Sequence, residues 1–257
     1  MKKTGFVYDD RYLLHDTGGF HPESPERLKA ICKRLTESGL LEKLILIEAD
    51  KAKQRWVEAI HNIHYIMRFD EACISGFPEF EHPDNAICRD TYDVAFLAVG
   101  GVLKAIDMVM KGEIDNAFCA VRPPGHHAEV DKPMGFCYFN NVAIGARYVQ
   151  QEYDIERVAI IDFDVHHGNG TQHIFDQDPT VLYYSIHEHP SFAYPGTGRE
   201  FETGLAKGSG YTLNTPILPG RGDMDYREKI TTDMVPAFKD FQPQVLLLSA
   251  GFDAHAS

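Results

Sequence analysis

The sequence predicts an α/β protein, a largely parallel sheet with helices on both faces. Three observations point there. Short, mostly apolar runs recur at 158–161, 181–186 and 245–248, the first of them rich in β-branched residues, and near-continuous apolarity marks strands buried on both faces. Stretches of helical period fall between such runs. Several runs break at their carboxyl ends into acids or histidines, where open α/β sheets gather ligands. With no internal repeat, low-complexity tract or linker, residues 1–257 read as one domain.

Residues 4–8 read as the first strand. Ser24-Pro25-Glu26 then reads as a helix start, with serine at the N-cap, proline at the first position and an acid in the first turn. Leu28, Ile31 and Leu35 give that helix an apolar stripe, and Gly39 ends it. Residues 44–47 read as a short strand. Residues 57–67 carry His61 and His64 at helical spacing; with no third ligand nearby, the pair reads as a surface face. Residues 77–84, with two prolines, read as a loop. A long helix is expected over 90–111, where Gly100-Gly101 permits close packing. A strand at 117–121, a helix over 140–153 and the strand at 158–161 follow. Then come a strand at 181–186, an extended 211–214, a helix over 223–240 and a last buried strand at 245–249.

Apolar residues make up 44% and charged residues 25%, an ordinary globular composition, and the length allows a sizeable core. A net charge of −13 argues against a nucleic-acid-binding face, which needs clustered Lys and Arg. An acidic body mildly attracts cationic substrates. Residues 1–11 hold no apolar core of a signal peptide and no stretch approaches 18 apolar residues, so no membrane partner is expected. The five cysteines (Cys32, Cys73, Cys88, Cys119, Cys137) form no C-x-x-C pair and read as reduced, mostly buried thiols of a cytoplasmic protein.

The chemistry concentrates at 158–170, where the apolar run breaks into Asp162-Phe163-Asp164-Val165-His166-His167-Gly168-Asn169-Gly170. Side chains two apart on an extended backbone point to one side. Asp162, Asp164 and His166 are therefore expected to face one crevice, with Phe163 and Val165 turned away. Carboxylate plus imidazole is divalent-metal chemistry, zinc foremost; a solvated strand end whose acids cap the next helix is the competing reading. Arg122-Pro123-Pro124-Gly125-His126-His127 follows the strand at 117–121. Its prolines stiffen the loop and its glycine allows a sharp turn. Two adjacent imidazoles, the side chains best suited to proton transfer near neutral pH, thus sit on a rigid support. Ser249-Ala250-Gly251-Phe252-Asp253 puts another acid just past a buried strand. Asp164, His166 and Asp253 would then make three ligands with an open position, as in catalytic rather than structural zinc sites.

These segments, with Gly135-Phe136-Cys137-Tyr138-Phe139-Asn140-Asn141 and Tyr194-Pro195-Gly196-Thr197-Gly198, resemble the zinc-dependent histone deacetylase family. That family includes bacterial histone-deacetylase-like and acetylpolyamine amidohydrolases, and the likeness runs in order from Val7 to Asp253. The resemblance implies a single-domain arginase/deacetylase-type fold with a parallel sheet of about eight strands. It implies zinc, or iron(II), held by Asp164, His166 and Asp253, and hydrolysis of acetyl or related acyl amides of lysine side chains or polyamines. It implies that His127 is the general base toward the metal-activated water, and that Asp162 orients His126 and keeps it cationic. It implies that Gly135, Phe136 and Tyr194 line a tunnel around the acyl-lysine stem. It also implies potassium sites, one at Asp162, Asp164, His166, Ser185 and Ile186, another at Phe175, Asp178, Val181 and Tyr211. Asp84 is a candidate for holding a substrate backbone amide, against the reading of a plain surface acid.

Three departures stand out. Asn169 occupies the place where class I members carry a second aspartate behind the histidine pair, which resembles class II. Without that anion His127 is expected to be less readily protonated, as suits a base. Tyr194 replaces the usual tunnel phenylalanine and adds a hydroxyl. The family domain continues with a strand–helix section and a glycine-rich loop whose tyrosine (histidine in one subclass) stabilises the oxyanion. That C-terminal part is expected to lie beyond Ser257, and losing one oxyanion donor costs on the order of a hundred- to a thousand-fold. Two other functions compete. A dimanganese ureohydrolase of the arginase type needs more bridging carboxylates and lacks the tandem histidines. A catalytically weak or non-catalytic acyl-lysine binder would keep the tunnel and the metal.

Overall fold

In the computed structural model, which describes residues 2–255, the chain divides into two units, Met1–Tyr148 and Val149–Ser257.

In the first unit, β1 (Thr4–Val7) is the middle strand of a parallel sheet, between β2 (Ile45–Ile47) and β5 (Asn116–Cys119). Helix α1 (Pro25–Glu37) begins with its proline at the first turn, after an extended Ser24 whose side chain makes no capping bond. It stops where Gly39 takes φ +65°, the left-handed conformation that glycine adopts without strain. The long helix α4 (Thr91–Met110) is buried on most sides. Gly100 makes that possible: a Cβ there would strike the Asp50 carbonyl.

Two stretches differ from expectation. Residues 57–67 are not one helix but the end of α2 (Gln54–Glu58) and the start of α3 (Ile63–Ile74). The break is Asn62, whose side chain caps α3 by accepting from the His64 N–H at 2.8 Å. His61, expected on the surface, is fully buried at this break. Its Nε2 accepts from the Asn140 N–H and its Nδ1 donates to Glu129 O, both at 2.9 Å. Asn140 in turn caps α5 (Asn141–Tyr153) through its side-chain oxygen. Residues 77–84 are not a plain loop either, for they hold most of a hairpin, β3 (Glu79–Phe80) with β4 (His82–Ala86). Asn85 binds it by donating to Phe80 O, and Phe80 packs on Tyr65 and Phe69.

In the second unit, four parallel strands run in the order β8 (Thr212–Ile217), β7 (Val181–Glu188), β6 (Val158–Asp162), β9 (Val245–Ser249). Asp162 lies level with Ser185 on one side and Ser249 on the other, so three carboxyl ends open together. Helix α6 (Asn169–Phe175) follows β6. The helix expected over 223–240 is α7 (Asp223–Lys229) and α8 (Val235–Phe241) joined by a π-helical turn, with Val235 N–H bonded to Ile230 O. Pro236 has no N–H to bond Thr232 O, which favours the wider turn.

The architecture is α/β, with three and four parallel strands in the two units where one sheet of about eight was expected. No helix among the described residues is long and apolar enough to cross a membrane. All five cysteines are free thiols, two of them buried.

Candidate metal centre and histidine pair

In the second unit β6 ends at Asp162, and the next residues bend instead of running on as a strand. The acids cause the bend. Asp162 Oδ1 accepts from the Asp164 N–H at 3.3 Å, and Asp164 Oδ1 from the His166 N–H at 2.8 Å, the local turn chemistry of aspartate. Phe163 turns into an apolar cluster with Tyr184, Ile186 and Ile217. Asp162 is fully buried and takes the Tyr183 hydroxyl at 3.2 Å.

Asp164, His166 and Asp253 converge: one ligand atom from each lies within 4.8 Å of the others. His166 Nδ1 stands 3.0 Å from Asp164 Oδ1 and 3.1 Å from Asp253 Oδ2. Those two hydrogen bonds raise its pKa to about 10. Asp253 is held there by the Val165 N–H, which donates to its Oδ1 at 3.1 Å. Gly251 lets the chain pass, because a Cβ at that position would strike the Asp164 carboxylate. The three side chains are partly exposed, so the centre is open to solvent.

Around it, Asn169 opens α6 and is buried. Ser185 Oγ bonds His187 Nδ1 at 2.7 Å beside the buried Ile186. Phe175 and Val181 are buried, Asp178 takes the Thr180 N–H at 2.8 Å, and Tyr211 donates its N–H to Gly208 O. Tyr194 is exposed, its ring edge-on to His166 at 6.4 Å between centroids.

In the first unit His126 and His127 are both buried, their rings 4.0 Å apart. Gly135, at φ +51°, presses its backbone on His127, so that a Cβ would collide with Cδ2 of the ring. Phe136 takes φ +69°, unusual for a bulky residue. Asn85 Oδ1 accepts its N–H at 3.1 Å, and its ring packs edge-on to His21 at 4.6 Å. Asp84 is exposed, paired with His82 at 3.2 Å, and its carbonyl lies 3.1 Å from His21 Nε2.

The loop bearing the histidine pair is anchored by groups that sequence reasoning missed. Arg122 is completely buried and grips Glu23 at two points, 2.7 and 2.8 Å, while donating to Tyr12 O at 2.9 Å. Burial alone would push the Glu23 carboxyl up; Arg122, with His15 and Arg27, outweighs it and holds the carboxyl below its usual range. A partner 99 residues away leaves no local pattern. Asn85 and His167 likewise meet partners 51 and 30 positions away.

Fold and donor set define a parallel α/β protein with an open carboxylate–imidazole centre and a buried histidine pair. The histone deacetylase domain model matches residues 21–257, and the chain belongs to that family. A protein named "Probable deacetylase" from Archaeoglobus fulgidus is 41% identical over 255 residues, covering 98% of this chain and 69% of that protein. A histone deacetylase-like amidohydrolase of Pseudomonas aeruginosa is 36% identical over 272 residues, covering 99% and 71%. Human histone deacetylase 9 is 36% identical over 283 residues, of which this chain spans 28% of the length. The crystal structure of the HDA15 HD domain superposes with a TM-score of 0.95 at 35% identity, covering all of this chain and 75% of that one.

Proposed function

We propose that this family member is a zinc-dependent amidohydrolase that removes acetyl or related acyl groups from lysine side chains or polyamines. The convergence of Asp164, His166 and Asp253 is the observation that carries the reading. Two carboxylates and one imidazole suit zinc, with iron(II) as the alternative. A ring nitrogen aimed at both carboxylates marks a centre that calls for positive charge. Those three side chains hold the metal, which when bound supplies Lewis acidity and a water acidified to near neutrality.

The chain's own groups do the rest. His127 takes a proton at its ring nitrogen and returns it to the leaving amine. His126 is the second imidazole of the pair, and Asp162 and Asn169 serve the strand end that leads to His166. Gly135, having no side chain, lets the His127 ring sit against its backbone. Phe136 and Tyr194 each offer an aromatic face on which a methylene stem buries apolar area, and Asp84 offers a carboxylate to a substrate amide N–H. Asp162, Asp164, His166, Ser185 and Ile186 would hold one potassium ion, and Phe175, Asp178, Val181 and Tyr211 another, and such a cation would supply positive charge to the strand ends. The residues serve one catalytic domain of a cytoplasmic enzyme.

Two variants test the division of labour. Asp253→Asn is expected to lose both bound metal and turnover. His127→Ala is expected to keep about one metal per chain while turnover falls by at least about a hundred-fold, the usual scale of a lost general base. Full turnover in either variant sinks the reading.

A further inference from the structure

The loop of residues 194–198, which carries Tyr194, is tied down at several points within the second unit. Thr197 Oγ1 lies 2.9 Å from His167 Nδ1, and His187 Nε2 donates to Gly198 O at 2.9 Å. The N–H of Gly198 donates to both Glu202 oxygens at 3.1 and 3.0 Å, and that of Arg199 donates to Oε1 at 2.9 Å. One carboxylate thus takes two successive backbone donors.

The same carboxylate takes a third donor, Gln172 Nε2, at 2.9 Å. That contact fixes the orientation of the Gln172 amide. With its nitrogen on Glu202, its oxygen accepts from Asn214 Nδ2 at 2.7 Å and from His167 Nε2 at 2.9 Å. His167 therefore carries a proton on Nε2, which leaves Nδ1 to accept from the Thr197 hydroxyl. The bonds form a closed circuit, from Glu202 through Gln172 and His167 back to the loop. There is no slack in it. Gly198 sits at φ +91°, and a Cβ there would meet His167 Cγ and His187 Nε2 at 2.5 Å.

We infer that Glu202, acting through Gln172 and His167, is a positioning residue: it sets the Tyr194 loop beside the strand end that bears His166, and so sets how tightly the acyl-amine stem is held. The inference rests on the function proposed above. Only a group that accepts without donating can serve all three N–H groups at once. A loop that grips the stem equally in ground and transition states acts on KM more than on kcat.

The test uses the full chain. Glu202→Gln places an amide NH2 among groups that are themselves donors. The reciprocal double variant, Gln172→Glu with Glu202→Gln, restores one acceptor or donor for every partner, with the carboxylate moved to position 172. Thr197→Val cuts the circuit at its far end, with the least risk to folding. Expected for Glu202→Gln are exchange of the Gly198 and Arg199 amides faster by about ten-fold, the scale of a lost charge-assisted hydrogen bond. KM for an acetyl-lysine peptide or acetylpolyamine should rise by about ten-fold with kcat within about three-fold. Metal content should not change, the double variant should recover both readouts, and Thr197→Val should raise KM in the same sense. Unchanged exchange at these two amides, a fall in kcat at constant KM, or a double variant that recovers nothing overturns the inference. Should the wild type cleave neither amide, the functional reading falls, and the exchange data alone still uphold or overturn the loop-positioning role.

Discussion

Replacing Glu23 by alanine removes the carboxylate that pairs with Arg122. Both groups are essentially out of solvent, Arg122 at 0% and Glu23 at 3% side-chain exposure. The pair is bidentate at 2.7 and 2.8 Å, and after the substitution the Arg122 guanidinium keeps only Tyr12 O among these partners. Breaking a buried pair on one side leaves an uncompensated charge and costs about 3–5 kcal/mol. For a chain of this size that corresponds to a fall of roughly 10 °C in Tm. Trp56, the single tryptophan, is buried in the same unit and reports on it. Urea unfolding followed by its fluorescence is the assay. The double variant Glu23→Leu with Arg122→Met should cost about 2 kcal/mol less than the sum of the single changes, because an apolar pair leaves no orphaned charge. A Glu23→Ala variant within about 1 kcal/mol of wild type, or strict additivity, would refute the reasoning. Because Arg122 opens the loop that carries His126 and His127, Glu23→Ala should also lower activity.

Acid should weaken the first unit through two buried histidines. Burial lowers the pKa of both His15 and His61 to about 4 from 6.5. The unfolded chain therefore binds protons that the folded chain refuses. The histidine contribution to stability falls as pH drops from about 6.5 to about 4, by up to about 3 kcal/mol for each group, and levels off below. Urea midpoints at a series of pH values check this, and a flat profile across that window contradicts it. Gly135→Ala drives a Cβ into the His127 ring and strains a φ of +51°. It should lower kcat/KM by about a hundred-fold, as expected for displacement of a reacting group by about 1 Å, with circular dichroism unchanged; near-normal kcat/KM would separate His127 from the chemistry.

Much of the frame is visible in the chain itself. Helix α1, which opens on its proline, and the long α4 fall within a residue or so of expectation, because a first-turn proline and helical period are local signals. The strand at 158–161 is likewise a local signal, an apolar run buried on both faces. The misses have particular causes. Residues 57–67 carry a helical pattern throughout, but Asn62 supplies a better cap than a helix interior, and His61 is drawn inside by two backbone partners. The strand His82–Ala86 contains proline, aspartate and asparagine, all poor strand formers, and contacts from Asn85 and Phe80 hold it. Asp164 and His166 sit together because of neighbouring residues, whereas Asp253 reaches them from 88 positions past Val165. That meeting is read from the shared place of these residues just past buried strands, with the family resemblance beside it, and not from sequence spacing. The Arg122–Glu23 pair and the link from Gln172 to Glu202 leave no pattern, since hydrogen bonds between residues 99 and 30 positions apart impose no period on a sequence.

We propose a metal-dependent deacylase. Acetate release from an acetyl-lysine peptide and from an acetylpolyamine, measured side by side with chelator and with zinc restored, tests it most directly. Turnover of at least one amide, abolished by the chelator and recovered with zinc, is expected, the ratio of the two rates naming the substrate class. Zinc bound at one per chain with neither amide cleaved would contradict it.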